Sequence, residues 1–187
     1  MSNTNNKENN LIVILGPTAT GKTKLAVKLA NKYNGEIISA DSRQVYRGMD
    51  IGTGKDINEY EINGKKIVYH LIDILEPFQE YSVFQFQRDY NKILLEIQKQ
   101  NKLPILCGGT GFYIKAVLMN YALSEVNPNQ YLRKKLETWA LIDLISMLET
   151  ISPGYSIDKP IDTKRRVIRA IEIAVSNNQT SKKKNDD

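Results

Sequence analysis

Three short segments carry the residues that could do chemistry. Gly16-Pro17-Thr18-Ala19-Thr20-Gly21-Lys22-Thr23 fits the phosphate-binding pattern G-x-x-x-x-G-K-[ST] at every position. Its glycines let the backbone wrap an anion, Lys22 supplies a point charge, and the Thr23 hydroxyl can meet Mg²⁺. The motif says phosphate and does not say which phosphate compound. Asp41 follows the apolar Ile37-Ile38-Ser39-Ala40. A carboxylate there can order metal-bound water, act as a general base, or cap the following turn. Gly108-Gly109-Thr110 offers close backbone approach and a hydroxyl at the start of a helix, or simply a turn. Asp73 could partner Mg²⁺ or cap a loop. Arg165, Arg166 and Arg169 form a basic helical segment that could meet RNA phosphates, act as a lid, or lie on a solvated face paired with Glu172.

The elements that must position these residues read as α/β. Leu11–Leu15 is a β-branched apolar run, expected as a strand buried on both faces. A helical pattern runs from Lys22 to Tyr33 and stops at Asn34-Gly35. Strands are expected at Glu36–Ala40, Lys66–Ile72 and Leu103–Cys107, with loops over 43–64. Ser82 and Gln85 form a capping box, and apolar positions 83, 86, 90, 93, 94 and 97 share one face of a helix over Ser82–Gln100. Phe112–Met119 continues as helix after Gly111. Alternating strands and helices predict a parallel sheet with helices on both faces, of the P-loop NTPase-like kind. Ligands of such sheets bind beyond the carboxyl ends of the strands, where the candidate residues all fall. After Ala122 the pattern turns helical, with helices expected over 129–149 and 162–176 and Trp139 in their core. The expected organisation is a disordered lead (1–10), a P-loop core (11–122), a helical appendage (123–176) and a disordered tail (177–187).

Composition bounds the rest. The 187 residues are 41% hydrophobic and 25% charged, with a net charge of +5 that is compatible with a polyanionic partner. Cys107 is the only cysteine, which excludes an internal disulfide and a cysteine-rich zinc site. His70 is the only histidine, which disfavours histidine metal sites and triads, and its place in a strand suggests a structural role. No apolar run reaches membrane-spanning length and the polar start lacks a signal-peptide core, so a cytoplasmic protein with no membrane partner is expected.

The P-loop together with Ile38-Ser-Ala-Asp-Ser-Arg-Gln-Val-Tyr46, Gly48-Met-Asp-Ile-Gly-Thr53 with Lys55, His70-Leu-Ile-Asp73 and Gly108-Gly-Thr-Gly-Phe-Tyr113 resembles the tRNA dimethylallyltransferases. Glu76-Pro77, Tyr81-Ser82 with Phe86 and Asp89, and Asp162 with Arg165, Arg166, Arg169 and Glu172 extend the resemblance along residues 11–175. The resemblance implies transfer of a dimethylallyl group from dimethylallyl diphosphate to N6 of adenosine 37 in tRNAs that read codons beginning with U. It implies Asp41 as the base, Lys22 and Thr110 as further catalytic groups, and residues 16–23 as the diphosphate cradle with Mg²⁺ at Thr23. It implies that Asp41, Ser42, Arg43 and Gln44, and Arg165, Arg166, Val167, Ile168 and Arg169, contact the tRNA anticodon stem-loop, in a monomeric enzyme. Family members usually continue past this point, so a short or C-terminally truncated member is expected. An adenylate isopentenyltransferase, a small P-loop kinase and a non-catalytic RNA-binding remnant are the competing readings.

Overall fold

A computed structural model describes residues 10–55, 57–121, 123–155 and 161–185, with side chains described to residue 178. It divides into two compact units, residues 1–123 and 124–187.

The first unit is built on a four-stranded parallel sheet. Its strands are β1 (Ile12–Leu15), β2 (Gly35–Ser39), β5 (Tyr69–His70) and β6 (Leu103–Gly108), in the order β1-β6-β2-β5. Helix α1 (Lys22–Tyr33) packs on one face, and α2 (Val83–Lys99) and α3 (Gly111–Leu118) on the other. The two-residue period of a strand explains this division. Ile37 and Ile105 enter the α1 cluster with Ala26, Val27 and Ala30, whereas the next residues, Ile38 and Leu106, join Phe86, Tyr90, Ile97 and Ile114. All four of these strand residues are fully buried. The fold is the expected α/β sheet with helices on both faces.

Helix α2 starts as expected. Ser82 Oγ accepts from Gln85 N at 3.2 Å, and Gln85 Oε1 accepts from Ser82 N at 2.7 Å.

Other elements differ from expectation. β1 is an edge strand whose ladder partner among the described residues is β6, so Val13 and Leu15 are exposed rather than buried on both faces. The strand expected over 66–72 is cut at both ends. Asn63 and Gly64 both have positive φ and close a tight hairpin between β3 (Glu61–Ile62) and β4 (Lys65–Lys66). Leu71 and Asp73 then take left-handed conformations that a strand cannot continue through.

The unit's one histidine is structural. Glu36, buried at the start of β2, accepts from Lys102 Nζ at 2.5 Å and bonds His70 Nε2 at 2.7 Å. Burial opposes the Glu36 charge, but the hydrogen bonds from Lys102 and His70 outweigh it and hold the carboxyl below its ordinary pKa. A lowered folded-state pKa stabilises the fold above the unfolded carboxylate pKa of about 4.3, and that stability disappears as pH falls through the lowered value. The urea midpoint is therefore expected to drop on acidification below about pH 4.3, and Glu36→Gln to flatten the drop. An equally steep acid profile in the variant would contradict the assignment.

In the second unit, α4 (Gln130–Leu136), α5 (Leu141–Ile151) and α6 (Lys164–Asn185) enclose a core of Leu136, Leu144, Leu148, Val167 and Ile171. The single helix expected over 129–149 is broken before Leu141, where Ala140 is extended. On an unbroken helix, Leu132 and Leu148 would point about 160° apart, and the break turns both to one core. Trp139 is 38% exposed and is not a core residue. Helix α6 runs through Asn185, so the tail expected to be disordered from 177 is helical to that point. Almost all of the expected disordered lead lies outside the described residues, as does Lys159-Pro160.

Candidate functional site

Strand register brings the chemistry together. Leu15 pairs with Gly108, and Ser39 with Cys107, so β1, β6 and β2 end at one level. The loops that follow are the P-loop, Gly109-Thr110 and Ala40-Asp41. Gly108 makes this convergence possible. A Cβ there would sit 2.2 Å from Ala40 O, a backbone atom that cannot rotate away. Gly108→Ala is expected to cost about 3 kcal/mol or more, read from the urea midpoint. A loss below about 1 kcal/mol would show that the two loops are not locked together.

The loops and the residues facing them enclose a cleft of about 600 Å³. It is lined by P-loop residues 18–24, by Gln44, Asp50 and Gly52–Lys55, and by Asp41, Glu59, Tyr60, Cys107 and Gly108. Ala19 and Gly21 have φ of 62° and 80° and turn the P-loop backbone about its centre. Gly21 caps α1 without a side chain, and the first turn of α1 holds no acidic residue. The amides of this helix start and the charges of Lys22 and Lys24 therefore give the P-loop wall an anion-binding character. Lys22 Nζ donates to Pro17 O, arching over the loop, and Thr20 Oγ1 donates to the same carbonyl at 2.9 Å. Gly16 and Pro17 lie at the base of the loop, outside the cleft wall.

Asp41 does two things that its position allowed. Its Oδ1 accepts from Arg43 N at 2.9 Å, capping the turn, while the residue still lines the cleft. Oδ2 lies on the side of Gly109, 3.9 Å from where a Cβ would stand. Thr110 sits beside this loop rather than in the cleft wall. Its Oγ1 accepts from Ser42 N at 2.9 Å and donates to Ser42 Oγ at 3.2 Å, and its amide donates to Ala40 O at 3.0 Å. Arg43 is exposed. Gln44 faces the cleft but spends both amide atoms internally, accepting from Ser39 Oγ and donating to Gly54 O.

Several cleft residues carry no assigned role in the sequence reading, although the family resemblance includes Asp50 and Lys55. Lys55 has a side chain with no solvent exposure and bonds Asp50, Asp73 and the Tyr46 carbonyl. That ion pair claims Asp73, which lies outside the cleft wall. Cys107 also lines the cleft. Burial pushes its thiol up to about 11, with Lys22 opposing and Asp41 adding, so it is a neutral wall residue and not a nucleophile. Asp50 and Lys55 share a glycine-rich loop, and no hydrophobic period marked either one.

A metal held by protein alone has no place here, since no group of three His, Cys, Asp or Glu side chains gathers for one among the described residues. The donors do fit Mg²⁺ of the P-loop kind, which takes a hydroxyl such as that of Thr23 and completes its shell with ligand oxygens and water.

In the helical unit, Arg165 and Arg166 are exposed, and Arg166 pairs with Asp162 at 2.5 Å. Val167 and Ile168 are 0% and 5% exposed, with their side chains in the core of this unit. Arg169 holds buried Glu172 at 3.2 Å and donates to Val126 O at 2.7 Å. Arg133 grips the same carboxylate with two hydrogen bonds. Burial disfavours the Glu172 charge, but hydrogen bonds from Arg133, the Asn129 amide and Arg169 hold its carboxyl below the ordinary range. Arg169 is therefore a structural cation of this unit, and Arg165 and Arg166 are the exposed part of the basic segment.

The IPP transferase family model matches residues 44–187. A tRNA dimethylallyltransferase 1 of Parabacteroides distasonis is 53% identical over 89% of this chain and 54% of its own length. A tRNA dimethylallyltransferase 2 of Bacteroides fragilis is 52% identical over 87% of this chain and 53% of its own. The solved full-length tRNA isopentenylpyrophosphate transferase of Bacillus halodurans superposes with a TM-score of 0.58 at 41% identity, over 89% of this chain and 55% of that one. A eukaryotic dimethylallyltransferase acting on tRNA gives a TM-score of 0.67 at 26% identity, over 86% of this chain and 40% of that one. The chain spans about half the length of the curated relatives it matches.

Proposed function

The chain belongs to the IPP transferase family, and on that footing we propose that its P-loop cleft binds dimethylallyl diphosphate and delivers the dimethylallyl group to N6 of adenosine 37 in a tRNA. The observation that carries this reading is the meeting of an anion-binding P-loop with the Asp41 carboxylate in one cleft. Prenyl transfer to an amine uses both, the P-loop for the diphosphate and the carboxylate for the proton that the amine loses.

Lys22 and the amides of residues 18–23 hold the diphosphate. Mg²⁺, when bound at Thr23, adds positive charge beside the leaving group. The bond from N6 to the first prenyl carbon forms as that carbon's bond to the diphosphate oxygen breaks. The N6 proton passes to Asp41, whose other oxygen is fixed by Arg43 N. Thr110 supports this geometry by holding Ser42, next to Asp41. A base stacked in an anticodon loop must leave its stack to reach a carboxylate set in a cleft. Arg43, Arg165 and Arg166 are exposed cations suited to tRNA phosphates. No helix among the described residues is long and apolar enough to cross a membrane, and we take the enzyme to work as a monomer in the cytoplasm.

Incubation with labelled dimethylallyl diphosphate, Mg²⁺ and either tRNA or AMP tests the reading. Label is expected in tRNA. Label in AMP alone would make the acceptor a free nucleotide, and phosphorylation of an acceptor by ATP would make the protein a kinase.

A further inference from the structure

Asp50 and Gly52–Lys55 line the cleft together with the P-loop, in a loop where Thr53 Oγ1 donates to Met49 O at 2.7 Å and Gly54 O accepts from Gln44 Nε2 at 3.2 Å. Gly48, Gly52 and Gly54 all have φ between 66° and 78°, a region in which glycine is free and other residues are not. Ile51, between them, is 99% exposed and anchors nothing. Yet this loop stands close to the P-loop, since a Cβ on Gly54 would lie 3.2 Å from Thr18 Cγ2.

One buried ammonium ties the loop to the chain on either side of it. Lys55 Nζ donates to Asp50 Oδ1 at 2.6 Å, to Tyr46 O at 3.0 Å, and to Asp73 Oδ1. An ammonium has three protons, and all three are taken. The three acceptors come from the segment after β2, the glycine loop, and the turn after β5. Asp73 is fixed in turn, with its amide donating to Gln44 O at 3.0 Å and its carbonyl accepting from Arg47 Nε at 2.8 Å.

We propose that Lys55 is a positioning residue of this cleft, whose ammonium fastens the 46–54 loop as part of the cleft lining without itself touching the diphosphate. This rests on the reading that the cleft takes a diphosphate. Lys22 and Lys55 then divide the work. Lys22 reaches over the P-loop toward the ligand, and Lys55 has no proton left to offer one.

The test is titration of the full chain with Mg²⁺ and inorganic pyrophosphate, well below each variant's unfolding midpoint so that global stability does not enter. Lys55→Ala is expected to bind about tenfold more weakly, the scale of a lost charge-assisted hydrogen bond. Propylammonium replaces the atoms removed beyond Cβ, and is expected to restore affinity to within about threefold while leaving the parent unchanged. Hydrogen exchange at 46–54 should speed up in the variant and slow again with the amine. Parental affinity in Lys55→Ala, or weakened affinity that propylammonium does not restore, would overturn the proposal. Asp73→Asn covers the case in which Lys55→Ala does not fold. Asparagine tolerates the left-handed backbone there, and Asp73 lies outside the cleft wall. Weaker pyrophosphate binding and faster exchange in the loop are expected from it, and no change in either would overturn the proposal. Binding of pyrophosphate without binding of dimethylallyl diphosphate would sink the substrate assignment and leave the role of Lys55 standing.

Discussion

Asp41→Asn is expected to lower dimethylallyl transfer about a thousandfold while changing the affinity for dimethylallyl diphosphate by less than about threefold. The substitution keeps the side chain's shape and its turn-capping oxygen, so the hydrogen bond from Arg43 N survives. It removes the one capacity the mechanism asks of this residue, acceptance of a proton from the attacking amine. General-base catalysis contributes roughly a hundredfold to ten-thousandfold, which sets the scale. In the proposed reaction the P-loop and not Asp41 holds the diphosphate, so its binding should not follow the rate. Single-turnover transfer rates beside equilibrium titration separate the two. Equal transfer by variant and parent would remove Asp41 from the role of base. A matched loss of affinity would make it a ligand-binding or metal-ordering residue instead.

Lys22→Met should give the opposite pattern. Its affinity for Mg²⁺–dimethylallyl diphosphate is expected to fall about thirtyfold, within the range of one charge-assisted hydrogen bond to a doubly charged group. Folding should be little affected, because among the described residues Lys22 Nζ bonds within its own loop, at Pro17 O. A calorimetric titration reads the affinity, and a thermal melt without ligand reads the fold. Affinity within twofold of the parent would show that the backbone amides alone hold the diphosphate. A large fall in the melting temperature would mean that Lys22 secures the P-loop and not the ligand.

The P-loop and Asp41 could be read from the sequence for a common physical reason. Each is a local pattern, with residue types fixed by backbone wrapping or by the end of a buried strand, and each needs only its neighbours to be legible. The capping box at Ser82 and Gln85 is local in the same way. The residues that escaped are defined by partners far along the chain. Lys55 is informative only once Asp73 is known to meet it, and Cys107 becomes a cleft residue only because β6 lies between β1 and β2. Arg169 shows the converse. Its helical segment was legible, but burial of Glu172 beside Arg133 makes it structural, and only tertiary packing could show that. The Asn63-Gly64 hairpin was a missed local signal, because the polar stretch around it hid a turn that its dipeptide specifies. The edge position of β1 was beyond reach, since an apolar β-branched run looks the same at an edge as in the centre of a sheet.

The central claim is that this P-loop holds a prenyl diphosphate and not a nucleoside triphosphate as its working ligand. Competition between dimethylallyl diphosphate and ATP for the Mg²⁺-loaded chain tests it most directly. The account predicts that dimethylallyl diphosphate binds at least about tenfold more tightly and that ATP is not turned over. Tighter binding of ATP, with release of its terminal phosphate, would contradict it.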